Sequence, residues 1–221
     1  METYSFKRDK TLTGTSRLNE TDTMRNMSDS IPEAAPGAQE HPCLALINSA
    51  GLQPGGKTYD ELATPEAAVA WLKAHGLIAP DAVLYEHCRG RLAALRADLR
   101  ALFTAFTAGE APPAAAVDAV NRALTAAPGT LLLRFDPAAG FLRSADHPVT
   151  QVVEHVMAVI ADDAAALLSG EQAAQLAPCE ADSCDRFFLR THGRRQWCST
   201  RCGDRVRAAR AYARKRTLQG A

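Results

Sequence analysis

No run in this chain is apolar for long enough to cross a bilayer, which removes a membrane-spanning role and a membrane partner. The opening residues, METYSFKRDKTLTG, lack the apolar core of a secretory signal, so the expected compartment is the cytoplasm, with its reducing conditions. No internal repeat marks a solenoid, and no heptad series lasts long enough for a coiled coil. The nucleophile elbow G-x-S-x-G and the dinucleotide fingerprint G-x-G-x-x-G are absent, which sets aside two large enzyme classes. Even net charge is lacking: 25 Lys and Arg balance 25 Asp and Glu.

That balance hides a polarised chain. Residues 179–221 hold eleven Arg and Lys against four Asp and Glu, a net of +7, so residues 1–178 carry −7. Ten of the eleven cations are arginines, which fork onto phosphate in a way lysine does not. Trp197 and Tyr212 add flat rings among them. The pattern fits a nucleic-acid surface, or a basic module that docks on an acidic partner.

The same stretch holds four of the six cysteines, spaced C-x4-C (Cys179, Cys184) and C-x3-C (Cys198, Cys202), with thirteen residues between the pairs. Two soft-ligand pairs so spaced suit the tetrahedral demand of Zn2+. Disulfides need an oxidising compartment, and core thiols need apolar neighbours that this charged segment does not have. A segment of this length with so little to bury gains its stability from a metal. With all four positions filled by protein, the ion is structural and leaves no place for a catalytic water.

RRQWCSTRCGDRVRAARAYARKR resembles the zinc finger of the bacterial CGNR proteins. Arg194, Arg195, Trp197, Cys198, Ser199, Cys202, Gly203 and Arg205 fall on that pattern, and Phe187 or Phe188 supplies its phenylalanine. Asp204 departs from it, standing where the motif has Asn. Upstream, CLALINSAG (residues 43–51), Trp71-Leu72 and Asn121-x-x-Leu124 resemble the helical domain called ABATE, so the likeness spans about residues 41–216. The resemblance implies a stress-induced transcription regulator with a ligand-sensing helical domain, Zn2+ on the four cysteines, and double-stranded DNA as partner. Arg194, Arg195, Arg201, Arg205, Arg207, Arg210 and Arg214 are the expected DNA contacts, the arginines supplying phosphate affinity and one or two reading guanine edges.

The rest of the chain is legible by period. Residues 1–40 are polar and expected to be disordered. TPEAAVAWLKAHG reads as a capped helix with Pro at its first position. Leu84, Cys88, Leu92, Leu95, Leu99, Leu102, Phe103 and Phe106 form the stripe of a long amphipathic helix, and Val117, Val120 and Leu124 that of a shorter one. TLLLRFD and FLRSAD read as a hairpin. Val152, Val156, Ile160, Ala164 and Leu167 mark a last long helix, closed by Gly170.

Other polar groups suggest less. His41-Pro42-Cys43 reads as a cap and a core thiol, and Asp162 and Asp163 as neighbours facing apart. Residues 51–58 match the letters of a phosphate-binding loop, G-x-x-x-x-G-K-T, with CLALINSA as the strand before it. Pro54 and the following YDELATP argue for an open loop instead, leaving an NTPase as the weakest reading.

The expected architecture is mainly α: a disordered extension (1–40), a helical domain with a small β-hairpin (41–176), a treble-clef-like zinc finger ending in a basic helix (177–217) and a tail (218–221). The expected function is DNA-binding transcription regulation rather than catalysis, with an effector or protein partner at the helical domain. A protein-interaction or RNA-binding zinc module is the alternative. Homodimerisation through the helical domain would add specificity to a single small finger. The negative charge of the body is compatible with its restraining the basic module when idle, as a hypothesis of autoinhibition.

Overall fold

A computed structural model describes residues 32–53, 56–127, 131–145 and 151–219. The disorder expected for residues 1–31 therefore lies outside the described residues.

The core is built around a helix that the sequence disguises. The apolar run CLALIN, offered above as a strand, is α1 (Pro42–Ile47), with Pro at its first turn and Cys43 through Ile47 buried on every side. A short run that is apolar all round fits a buried helix as well as a buried strand, and Pro42 decides for the helix. It leads into a hairpin of β1 (Ala50–Leu52) and β2 (Thr58–Asp60). Lys57 and Thr58 thus enter a strand, whereas a phosphate-binding loop must launch a helix, so the strand–loop–helix geometry of an NTPase is missing.

The expected helices follow. α2 (Pro65–Ala74) starts at Thr64, whose hydroxyl accepts the Ala67 N–H at 3.2 Å. α3 (Glu86–Ala108) buries Leu92, Leu95, Leu99, Leu102 and Phe103, while Phe106, expected on the same stripe, is exposed near the helix end. α4 (Ala114–Thr125) buries Val120 but leaves Val117 outside. α5 (Val152–Ser169) presents Val156, Ile160, Ala164 and Leu167 to the core. Between α4 and α5, β3 (Leu131–Asp136) and β4 (Gly140–Ala145) form the expected hairpin, with Phe135 opposite Phe141. α3, α4 and α5 pack together and enclose α1.

A 3-10 turn (Glu171–Gln175) then delivers the chain to β5 (Leu176–Pro178), which pairs antiparallel with β6 (Phe187–Leu189). This ribbon is a wall shared by two cores. Leu176, Phe187 and Leu189 join the helical core, while Ala177 and Phe188 join a second cluster around the cysteines. Strand alternation explains the division, since adjacent residues face opposite sides. The last element, α6 (Thr200–Gln219), leaves from that second cluster.

Residues 33–40, expected to be part of the disordered extension, are instead packed. They turn over the ribbon, burying Ala35 and Ala38, and Pro36 accepts the Leu189 N–H at 2.9 Å. Gly37 sits at φ +88° against Leu189, and a Cβ there would come within 2.7 Å of that side chain. Backbone pairing and close approach hold this segment where its polar composition suggested nothing would.

Candidate metal centre and basic helix

β5 runs directly into Cys179, and a tight turn through Ala181–Cys184, with Ser183 at φ +60°, brings the second thiol back beside it. Cys198 lies just ahead of α6 and Cys202 in its first turn, where Ser199 Oγ accepts the Cys202 N–H at 3.2 Å. The Sγ atoms of Cys179, Cys184, Cys198 and Cys202 all lie within 4.8 Å of one another. Cys184–Cys198 and Cys198–Cys202 are each 3.7 Å apart. Zn–S bonds of ~2.3 Å in a tetrahedron put sulfurs about 3.75 Å apart, so the spacing fits the ion.

The charges fit as well. Thiol hydrogen bonds from Cys184 and Cys198 draw Cys179 down to about 2. In turn the bond to Cys179 raises Cys184 to about 12 and, with that to Cys184, lifts Cys198 further. Sulfurs this close repel one another as thiolates, and a bound dication relieves that repulsion. Arg186 gives an independent indication. Its guanidinium is buried, Nη2 donates to the Glu33 carbonyl at 2.7 Å, Nη1 lies 3.9 Å from Cys198 Sγ, and Nε has no partner. Among the described residues no carboxylate lies within ion-pair distance of it, although its charge also draws on the half-buried Glu61. A guanidinium so placed is costly without a nearby anion, and Zn2+ with four thiolates carries a net charge of −2. Arg205 Nη2 (3.6 Å to Cys202 Sγ) and the Cys198 N–H (3.4 Å to Cys179 Sγ) also point at the sulfurs, orienting and stabilising them as outer partners do.

The seven expected DNA contacts divide on this scaffold. Arg195 braces the finger: it lies 5.8 Å over the Phe188 ring and donates to the carbonyls of Trp197 (3.0 Å) and Cys198 (3.3 Å). Arg205 is half-buried and donates to the Asp182 carbonyl at 3.1 Å. Arg194, Arg201, Arg207, Arg210 and Arg214 are exposed. From Arg207 to Leu218 every residue of α6 is exposed, so the helix stands free of the body and is not masked by it. Arg207, Arg210 and Arg214 share one side, with Arg201, Tyr212 and Arg216 on the other.

Asp204, the departure from the CGNR pattern, is 73% exposed and pairs with Arg207, which also lies 5.7 Å over the Trp197 ring. The preceding Gly203 lets that ring approach, since a Cβ there would come 2.9 Å from Trp197 Cε3.

Polar residues that the sequence reading passed over join the metal knuckle to the helical body. The Asn48 side chain exchanges two bonds with the Phe187 backbone, at 2.8 and 2.9 Å. Arg100 donates to the carbonyls of Ile47 (2.6 Å) and Asp185 (2.8 Å) and to the Asp185 carboxylate (3.0 Å). It also lies 5.8 Å over the Phe187 ring. Arg96 forks onto Asp60 and reaches Ser49 Oγ. Burial pushes the Asp60 carboxyl up, but the Arg96 bonds, the Leu62 N–H and the charges of Arg96 and Arg89 together hold it below the usual carboxylate range. The available signal was phase: Arg96 and Arg100 fall in step with the buried stripe of α3. Asp163, read above only as facing apart from Asp162, accepts from His41 Nδ1 (2.8 Å) and the Cys43 N–H (2.9 Å) to tie α5 to the start of α1. Cys43 is the expected core thiol, its pKa raised first by burial and then by Asp163. A cavity of about 370 Å3 lies between residues 33–40 and the finger, reaching Arg195, Cys198 and Thr200.

The fold and the site define a helical domain fused to a zinc finger. Residues 40–171 match the family model ABATE, described as "putative stress-induced transcription regulator". The chain belongs to this family. Residues 175–215 match the CGNR zinc finger, in agreement with the four-sulfur site for Zn2+. Neither is an enzyme family, and no helix among the described residues is long and apolar enough to cross a membrane. No curated protein matches the chain.

Proposed function

We propose that this protein is a DNA-binding transcription regulator in which Zn2+, held by Cys179, Cys184, Cys198 and Cys202, fixes the root of a free basic helix. The observation that carries this reading is α6: its arginines are displayed on an uncovered helix launched from the metal knuckle. A helix of this width enters the major groove, where arginines fork onto guanine and grip phosphate on either side. Arg194, Arg201, Arg207, Arg210 and Arg214 make the contacts, while Arg195 and Arg205 keep the finger in shape. The helical domain senses a ligand or protein partner. Its bonds from Asn48 and Arg100 to the knuckle, and the cavity beside Cys198, support a route from such an effector to the finger. The protein works in the cytoplasm, at the nucleoid.

The test is fluorescence anisotropy of the zinc-loaded full-length protein on duplex DNA across a salt series. Binding should weaken steeply with salt, with a slope reduced by about one for each phosphate-contacting arginine replaced by alanine. Preference for RNA would move the assignment to an RNA-binding module. No binding to either at low salt would make α6 a protein-docking element and end the reading.

A further inference from the structure

The hairpin β3–β4 is apolar where it meets water. Phe135 is 64% exposed, Phe141 74%, Leu133 70% and Leu142 36%. By register Leu133, Phe135 and Phe141 share one face, and the two rings meet edge-on at 5.1 Å. Among the described residues no third strand joins this ribbon, and none of them pairs with its outer edges. A two-stranded ribbon is marginal in water and gains stability from further strands or a covering layer.

We propose that this ribbon is a self-association surface, covered by the same ribbon of a second copy of this chain. The exposed area has the right size. With about 200 Å2 per phenylalanine, Phe135 and Phe141 leave roughly 280 Å2 of ring in solvent, or roughly 550 Å2 for two copies. That is over half of the ~1,000 Å2 a specific interface clears, before the leucines and the strand backbone are added. The occupant must bring an apolar face of matching twist and strand spacing. A second copy does so by construction, and a two-fold contact places the same patch on both sides. The inference does not depend on nucleic-acid binding.

Sedimentation velocity of the zinc-loaded full chain, without DNA, tests it over a range of micromolar concentrations. The expected result is a reversible dimer, twice the 23.7 kDa chain mass. Phe141→Lys and, separately, Phe135→Lys should each weaken it on the order of a hundredfold, because every dimer then holds two apposed lysines in an apolar contact. Both positions are exposed, so far-UV circular dichroism should show the helices intact. Leu218→Lys, at the exposed end of α6, should leave the dimer unchanged. A wild-type monomer at every concentration, a dimer indifferent to both lysine variants, or open-ended aggregation would each overturn the proposal.

Discussion

Replacing Phe187 by alanine should lower the melting of the helical body and the release of zinc together, as a single step. Phe187 lies one residue beyond the buried Arg186 and three beyond the ligand Cys184, yet its side chain belongs to the helical core, edge-on to Phe103 at 6.0 Å and under the Arg100 guanidinium. Truncating a buried phenylalanine costs about 3–5 kcal/mol. A domain of this size has about 5–15 kcal/mol in total. At roughly 2–4 °C per kcal/mol the melting temperature should fall by about 6–20 °C. The assay follows far-UV circular dichroism and a zinc-responsive dye in the same melt, with Phe187→Leu as a milder variant that stays folded. In the wild type the two signals should coincide, and chelating the metal should lower the helical transition too. In the variants both should move down together. Two separate wild-type transitions, with Phe187→Ala moving only the one that releases zinc, would refute the shared core and make the finger an independent module.

Other outcomes follow from single contacts. Arg186→Ala should lower zinc affinity about 10–100-fold, the usual scale for outer partners of a metal site, with Arg186→Lys restoring part of it in a chelator competition. Gly203→Ala pushes a methyl against the Trp197 ring and should cost about 1–3 kcal/mol, seen as a lower melting temperature with altered tryptophan emission; unchanged values would remove the ring from its place over the glycine. Burial raises the Tyr59 phenol to about 12 while it donates to the Asn48 carbonyl. The raised value means that its stabilising contribution is complete below the unfolded pKa near 10 and is lost as pH climbs towards 12. Tyr59→Phe should flatten that alkaline decline in a denaturant titration, and an unchanged slope would discount the phenol.

The parts of the fold written in side-chain period were legible without coordinates. Leu92, Leu95, Leu99 and Phe103 announced α3, and the change of period at LLLRFD announced the hairpin. The four thiols were legible because ligand chemistry restricts their spacing. The sequence does not show where a side chain spends its polar groups. Arg195 and Arg205 look like every other arginine in the run, but each bonds the finger's own backbone, a fact set by the path of residues 190–198. α1 was obscured for the opposite reason: buried on all sides, CLALIN has no period to reveal. Residues 33–40 are held by backbone pairing and the turn at Gly37, neither of which composition records.

The free half of α6 carries a thermodynamic consequence. An isolated helix of the twelve residues 207–218 is marginal in water, because its first turn must be fixed before any hydrogen bond repays the loss of freedom. Here the metal end has already fixed that turn. What remains is propagation, which costs little per residue and favours the alanines at 208, 209, 211 and 213. The zinc therefore acts as a helix nucleus for residues it never touches. Stripping it should melt the distal arginines into coil, and any partner that grips them would then bear the cost of winding them again.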